Sequence, residues 1–346
     1  MLAAFLLSAD GHLYDNLQAA ILHLQLRNRS ADLDAPSSSD ANPIRIIVPA
    51  GIGASEIAKS LANADLIRDI RLFVDYARLQ GYDRRFEAGV YFLNQTQSIR
   101  QIAEILTDSS KSFIPFRSLE GARIEELAEL IDQNGLFGFT GADFLPLVDE
   151  GALIPPDFAA WAQVPADASL EGFMFPDTYQ LPPDISAEGL RDILLRTFRE
   201  RVGNALREEA MAQNLTLYQI VTLASIIERE AVWRDEHPMI ASVYRNRLDI
   251  GMKLEADPTV QYGIHGERGA WWPQITRADY YEVQSPYNTY LHEGFPPGPI
   301  ASPGLSAIQA AVHPAESGYY FFRAACDYSH YHNFAVTFAE HLANAC

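Results

Sequence analysis

Residues 216–232 read TLYQIVTLASIIEREAV and form the best-defined element of this 346-residue chain. Thr216 and Gln219 have the spacing of a capping box, which satisfies backbone N–H groups at the start of a helix. Apolar residues follow at spacings of three and four, the period of one helix face: Leu217, Ile220, Leu223, Ala224 and Ile227. The stretch therefore predicts an amphipathic helix that packs an apolar face into a core.

Two glutamates stand near the end of this predicted helix. Glu228 lies at the margin of the apolar face, and Glu230 projects about 200° away from it. A carboxyl group at the edge of an apolar face is partly desolvated, which raises its pKa and suits it to general acid catalysis. The alternative is that both glutamates are solvated and pair with Arg229 or Arg234. The helix taken alone favours that alternative.

The segments downstream of this helix are rich in turns and aromatic residues. Asp257 precedes a proline, which disfavours helical geometry, so we expect it on a turn. Residues 285–290 read SPYNTY, a turn dense in donors and acceptors, and residues 295–304 are too rich in proline for a central strand. Tryptophan and tyrosine are concentrated after Trp161. This density favours carbohydrate or peptide binding, although core packing explains any single ring equally well.

The segments upstream predict a small α+β module. Residues 46–48 and 88–93 read as strands, residues 70–80 as a helix, and Ser55 and Ser98 as caps of two more helices. The resulting order is strand, helix, helix, strand, helix. Before the module, residues 31–43 have the composition of a linker. After it, the Pro- and Ala-rich residues 151–169 predict a surface loop.

Composition and motif content exclude several classes of protein. The chain has 26 Lys and Arg against 45 Asp and Glu, a net charge of −19, which argues against a general nucleic-acid binder and against binding to anionic lipid by charge alone. Two cysteines, Cys326 and Cys346, exclude a disulfide scaffold and a cysteine-based zinc module. Phosphate-loop, dinucleotide, H-E-x-x-H and G-x-S-x-G motifs are absent. His330 and His332 lack partners at ligand spacing, so a structural role is favoured.

The apolar start, Met1–Leu7, is too short to span a membrane. It reads either as the end of an apolar anchor helix or as an ordinary apolar start, and a helix over residues 17–26 follows.

Several motifs at consistent spacing match one known family. The LASIIERE segment at residues 223–230 resembles the signature helix of the endolytic murein transglycosylases, the MltG-type or YceG-like family. Further matches lie at residues 170–179 (LEGFMFPDTY), 246–248 (NRL), 257–260 (DPTV), 285–290 (SPYNTY), 296–300 (PPGPI), 310–314 (AAVHP), 320–322 (YFF) and 332–334 (HNF). The resemblance covers about residues 46–341.

This resemblance implies an α+β fold with four segments. They are an anchor remnant and linker at 1–42, a LysM-like subdomain at 43–110, a linking α+β segment at 111–169, and a mixed α/β catalytic domain with a central signature helix at 170–346. The family usually begins with a transmembrane anchor. The resemblance therefore implies a single-pass protein of the cell membrane whose catalytic domain faces the extracytoplasmic side, with cell-wall synthases as possible partners.

The resemblance also implies an activity and a set of site residues. Glu228 matches the catalytic glutamate, which cleaves the β-1,4 bond between N-acetylmuramic acid and N-acetylglucosamine in peptidoglycan without water, leaving a 1,6-anhydro end. Neither a metal nor an organic cofactor is implied, and Glu230 is expected to support the site. Six residues are expected around the substrate cleft: Glu171, Asp257, Gln261, Tyr287, Asn288 and Thr289.

Two other functions stay open at this point. One is a peptidoglycan-binding scaffold without catalysis, and the other is a muramidase-type hydrolase that uses Asp257 as a second carboxylate. The chain also departs from the family pattern, because Tyr331 occupies the position of a family glycine before His332.

Overall fold

The computed structural model of the chain describes residues 22–24, 26–49, 51–182 and 184–346. Two compact units are present: one takes in the residues up to 115 together with 180–183, and the other takes in 116–179 and 184–346. The apolar start and most of the predicted helix 17–26 lie outside the described residues. Residues 22–24 and 26–28 are helical.

From residue 44 onward, the first unit has the predicted order of strand, helix, helix, strand and helix. Its elements are α1 (Ser30–Asp34), β1 (Ile44–Val48), α2 (Ala54–Asn63), α3 (Ile70–Leu79), β2 (Gly89–Leu93) and α4 (Ile99–Ile105). The two strands are antiparallel, with Ile44 opposite Leu93 and Val48 opposite Gly89. Apolar faces of the helices and strands enclose one core around Phe73.

The caps of these helices agree with the sequence in one of two cases. Ser98 caps α4 with a complete capping box, as predicted. The prediction that Ser55 caps α2 is wrong, because the helix begins at Ala54 and the extended backbone of Gly53 takes the cap position without a side-chain bond. Asp69, which was not predicted as a cap, accepts a hydrogen bond from the Leu72 amide at the start of α3.

Residues 31–43 have the composition of a linker, yet part of this segment is ordered against the first unit. Helix α1 buries Leu33 in the core of that unit. Arg100 donates to Asp34, and the Ser38 amide donates to the Gln95 carbonyl. These contacts hold the segment through residue 38 on the surface of the unit.

The second unit is mostly helical. Strands β3 (Ile114–Arg117) and β4 (Thr178–Leu181) each have residues in both units. The following elements belong to the second unit: α5 (Ile124–Asn134), α6 (Gly141–Phe144), α7 (Pro156–Ala162), α8 (Ala187–Ala212), α9 (Leu217–Glu230), α10 (His237–Asp249), α11 (Asp257–Ile264), α12 (Asp279–Glu282), α13 (Leu305–Val312), β5 (Phe321–Ala324), β6 (His332–Ala335) and α14 (Phe338–Ala343). This mixture of helices with small sheets agrees with the predicted class.

Helix α9 forms the centre of the second unit. Its start has the predicted capping box between Thr216 and Gln219. All residues from 217 to 227 except Gln219, in the first turn, are buried, so the rest of the helix is enclosed on every side and is not amphipathic. It packs against α8, α10, α11 and α13. The last turn, with Glu228 and Glu230, is only partly buried, and the packing of α9 against the surrounding helices fixes its position.

Two expectations about irregular segments are wrong. The predicted loop 151–169 contains α7, because Pro156 suits the first turn of a helix and Phe158 and Trp161 are buried on one face. Asp257 is the first residue of α11 and does not lie on a turn, because Pro258 is tolerated in the first turn. The Pro-rich residues 295–304 are irregular, as predicted.

The end of the chain forms a hairpin and a short helix joined by a disulfide. Strands β5 and β6 are antiparallel, with Phe321 opposite Ala335 and Ala324 opposite His332. A disulfide links Cys326, just after β5, to Cys346, after α14. In the described part of the chain no single helix has the length and apolarity needed to cross a membrane; α8 and α9, bent by 102°, reach them only as a pair.

Candidate functional site

A cavity of about 390 Å³ opens at the end of α9 within the second unit. It collects polar side chains from α9, α10, α11, α12, the 285–290 turn and the C-terminal hairpin. The acidic residues are Glu230, Glu255 and Asp257; the basic residues are Arg247, Arg323, His332 and His341; two tyrosines, Tyr280 and Tyr290, stand beside Asp257. This concentration of titratable groups in a concave site marks it as the candidate active site.

Glu230 is the carboxyl group whose chemistry the cavity changes most. The hydroxyl of Tyr244 donates to its Oε1 at 2.6 Å. Burial, together with the nearby negative charge of Asp257, raises the pKa of Glu230 to about 7, although the Tyr244 bond and Arg247 act in the opposite direction. A carboxyl group with this pKa exists in both protonation states at neutral pH, as a general acid that later acts as a base requires.

Asp257 faces the same cavity and is held by two tyrosines. Tyr290 donates to its Oδ1 at 2.7 Å and Tyr280 to its Oδ2 at 3.4 Å. The two rings stack with their centroids 4.0 Å apart. Because Asp257 opens α11 and Tyr290 ends the SPYNTY turn, these two motifs meet at the cavity.

Asn288 and Thr289 fix this turn and are themselves fully buried. The Asn288 amide nitrogen donates to the carbonyls of Tyr280 and Val283. The Thr289 hydroxyl accepts from the Ala256 amide at 2.9 Å and lies 2.9 Å from the Thr259 hydroxyl. Both residues thereby position Asp257 and Tyr290, and their side chains bond to protein groups.

The NRL motif on α10 holds the opposite wall. Asn246 donates to the carbonyls of Ser317 and Tyr319. Buried Arg247 donates to the carbonyl of Tyr320 at 2.6 Å and that of Leu254 at 2.7 Å. This motif therefore ties β5 and the start of α11 to α10, a role that the sequence did not reveal.

Glu228 lies apart from these contacts. It is not among the described residues that line the cavity. Its Oε2 accepts a hydrogen bond of 3.0 Å from the backbone amide of Gly304, the N-cap of α13. Burial raises the pKa of Glu228, and the Gly304 bond opposes that shift. Nearby, Glu120 forms an ion pair with Arg234.

The remaining predicted site residues are dispersed. Glu171 is fully buried, accepts hydrogen bonds from the amides of Ile124 and Gly172, and has its pKa raised to about 8 by burial. Gln261 donates to the Pro273 carbonyl at 2.8 Å. Tyr287 packs on Tyr262, with ring centroids 4.7 Å apart. None of the three lines the described part of the cavity.

Sequence reasoning missed a cation–aromatic cluster around Arg123. This fully buried guanidinium lies 4.1 Å from the ring centre of Tyr262 and pairs with Glu125 at 2.9 Å. The guanidinium of Arg229 lies 3.8 Å from the ring centre of Trp272. An arginine inside a helix-start segment gives no sequence signal for such a position.

His332 has a protein partner, as its predicted structural role requires. Its backbone amide and its Nδ1 both contact the Glu236 carboxylate, at 2.8 and 2.9 Å. Tyr331 stacks on Trp233. Across the described residues, no group of three or more His, Cys, Asp or Glu side chains is arranged to hold a metal ion.

Comparisons with known proteins identify the family. The model of the YceG-like family matches residues 46–346. The chain is 30% identical to the endolytic murein transglycosylase of Bacillus subtilis, over 84% of this chain and 81% of that protein. It is 27% identical to the protein of the same name in Streptococcus pneumoniae, of which it spans 56%.

A solved structure supports this result. The crystal structure of a yceG-like protein from Listeria monocytogenes has a TM-score of 0.58 and 29% identity, with coverage of 88% of this chain and 99% of that chain. The chain therefore belongs to the YceG-like family, which confirms the family predicted from its motifs.

Proposed function

We propose that the chain is an endolytic murein transglycosylase that cuts glycan strands of nascent peptidoglycan. The relatives with this name supply the class of substrate. The single observation that supports catalysis is Glu230, a carboxyl group of pKa about 7 that lines a cavity together with Asp257.

We assign the acid–base role to Glu230, although the family resemblance placed it on Glu228. Glu230 borders the cavity, and Tyr244 engages its Oε1 and leaves Oε2 for a substrate. Glu228, whose Oε2 accepts from the Gly304 amide, is not among the described residues that line the cavity. The proposed site therefore keeps one glutamate as the reacting group and gives Glu228 the task of joining the ends of α9 and α13.

The reaction proposed is non-hydrolytic. Protonated Glu230 donates its proton to the oxygen of the β-1,4 bond between N-acetylmuramic acid and N-acetylglucosamine. The bond from C1 to that oxygen breaks, and the electron pair leaves with the oxygen as the 4-hydroxyl of N-acetylglucosamine. The Glu230 carboxylate then takes the proton of the muramoyl C6 hydroxyl, whose oxygen bonds to C1. The product is a 1,6-anhydro end, and no water is consumed.

Asp257 has an electrostatic part in this proposal. Positive charge develops at C1 when the bond breaks, and a carboxylate held in the cavity by Tyr280 and Tyr290 stabilises it. A muramidase would instead use Asp257 to activate water. The two reactions differ in their products, because hydrolysis leaves a reducing end.

Analysis of product ends tests this proposal. Uncrosslinked glycan strands are incubated with the chain and with the variants Glu230→Gln and Glu228→Gln, and the ends are identified by mass spectrometry. We expect anhydro ends from the wild type and from Glu228→Gln, and none from Glu230→Gln. Loss of cleavage in Glu228→Gln alone would return the catalytic role to Glu228. Reducing ends would establish a hydrolase, and binding without cleavage by any form would establish a scaffold.

The cellular setting is part of the same proposal. We propose that residues 43–110 are the LysM-like subdomain, that residues 111–169 link it to a catalytic domain at 170–346, and that the protein acts outside the cytoplasm beside cell-wall synthases, held by an N-terminal anchor. The Cys326–Cys346 disulfide supports this setting, since disulfides persist in oxidising compartments. Thiol alkylation of intact cells followed by non-reducing electrophoresis tests it.

A further inference from the structure

The cavity has a basic wall that the proposed reaction does not use. Strand β5 supplies Arg323, and α14 supplies His341. The proposed chemistry is assigned to two other lining residues, Glu230 and Asp257. Basic residues are in the minority in this chain, whose net charge is −19, so their presence on one wall of the cavity indicates a separate role.

Arg323 keeps most of its hydrogen-bonding capacity. Its Nη1 donates to the His341 carbonyl at 3.4 Å. No carboxylate among the residues that the structure describes forms an ion pair with it. A guanidinium has five N–H donors, so several remain available to a ligand. Arg247, in the same cavity, differs because backbone carbonyls and Glu255 engage it.

His341 adds to the basic wall without a positive charge of its own. Burial and the positive charges of Arg323 and Arg247 lower the pKa of His341. Its ring packs near Phe321 and Phe338, with centroids 5.5 and 5.9 Å away. The guanidinium charges of Arg323 and Arg247 therefore act at the position of this ring, where an anionic ligand group would meet them.

The disulfide holds the two residues in place. Cys326 follows Arg323 by three residues, and Cys346 follows His341 by five. Their covalent link joins the segment after β5 to the end of the chain. The link limits how far the segment after β5 and the end of the chain can separate before any ligand binds, and preorganisation of this kind favours binding.

From this arrangement we propose that Arg323 and His341 form a carboxylate-binding subsite that receives a peptide-stem carboxylate of the strand being cut. The inference rests on the proposed function, since the stems of peptidoglycan carry the carboxylates. A guanidinium matches a carboxylate with two parallel hydrogen bonds. On this basis the chain prefers strands that carry stems over strands without them.

Kinetics on two substrates tests the subsite. The variant Arg323→Met keeps the length of the side chain and loses the charge, and its kcat and KM are measured on uncrosslinked strands with stems and on strands stripped by an amidase. We expect KM on stem-bearing strands to rise about tenfold with kcat unchanged, as loss of a charge-assisted contact implies. On stripped strands we expect no change. Arg323→Lys should recover part of the loss, and Arg196→Met, on exposed α8, is the control.

The other outcomes overturn the inference in distinguishable ways. Equal losses on both substrates would show that Arg323 contacts a feature that both strands share, such as the glycan itself, and would refute recognition of a stem carboxylate. Wild-type behaviour of Arg323→Met on stem-bearing strands would refute an anion subsite. If the wild type cuts neither substrate, equilibrium binding of labelled stem-bearing strands to the wild type and to Arg323→Met still decides the question. Equal affinities would refute the subsite, and a weaker variant would support it.

Discussion

Replacement of Tyr244 by phenylalanine removes one oxygen atom from the site and leaves the carboxyl groups unchanged. Tyr244 is 1% exposed, and its hydroxyl donates to Glu230 at 2.6 Å. This bond stabilises the charged form of Glu230 and holds its pKa down. Without the hydroxyl, burial and the charge of Asp257 act unopposed by this bond, and the pKa must rise.

The size of the shift follows from the strength of the lost bond. Hydrogen bonds to charged groups contribute about 1.5–3 kcal/mol, and one pKa unit corresponds to about 1.4 kcal/mol. The pKa of Glu230 should therefore rise by about one to two units. The proposed first step needs the protonated acid, so we expect kcat/KM of the wild type to fall at alkaline pH with a midpoint near 7. In Tyr244→Phe we expect this midpoint between about 8 and 9.

The assay is the rate of anhydro-end formation between pH 5 and 10. Tyr179→Phe is the matched control, because its hydroxyl is also buried and donates at 2.6 Å, but to the Phe175 carbonyl. Its alkaline midpoint should stay at the wild-type value. An alkaline midpoint in Tyr244→Phe that stays near 7, or moves down, would refute the assignment of Glu230 as the acid.

Three further changes have expected outcomes. The pKa of Glu171 is raised to about 8, so its proton stabilises the fold fully below pH 4.5, and this contribution is lost as pH rises to 8. This contribution amounts to at most about 5 kcal/mol. The melting temperature of the wild type should therefore fall between pH 5 and 9, and in Glu171→Gln this fall should be smaller. Joint replacement of Cys326 and Cys346 by serine should cost about 3 kcal/mol, with faster hydrogen exchange in α14; wild-type protection would contradict this. Gly172→Ala should lower the free energy of unfolding, measured in urea, by about 3 kcal/mol or more. The backbone of Gly172 has φ +85°, and the new methyl group would lie 2.5 Å from Pro299. Gly151→Ala, with open space around the new methyl group, should cost about 1–2 kcal/mol.

Elements with strong local signals were predictable from the sequence. The capping boxes at Thr216 and Ser98 and the helical period of residues 217–230 specify helices without reference to the rest of the fold. Residues 156–162 were missed because proline and alanine dominate the segment, and only tertiary burial of Phe158 and Trp161 reveals a helix.

The cavity was less predictable, because it depends on distances between segments far apart in the chain. Residues between 230 and 341 meet there. The choice between the two glutamates illustrates the difficulty. The sequence pattern places the two glutamates relative to one apolar face of an amphipathic helix. In the structure, α9 is buried on all sides apart from Gln219. A position at the margin of an apolar face then no longer predicts the pKa of a glutamate. The residues that contact each glutamate determine its pKa instead.

Those neighbours separate two glutamates that share one helix end. The C-terminal end of a helix carries a partial negative charge and disfavours a carboxylate in its last turn. For Glu228 the amide at the N-terminal end of α13 offsets this effect. Glu230 faces the charge of Asp257 and has one tyrosine donor, and its pKa reaches about 7. Two carboxyl groups placed in unlike environments acquire unlike roles. That difference is the basis on which we propose Glu228 as a structural carboxylate and Glu230 as the reacting carboxyl group.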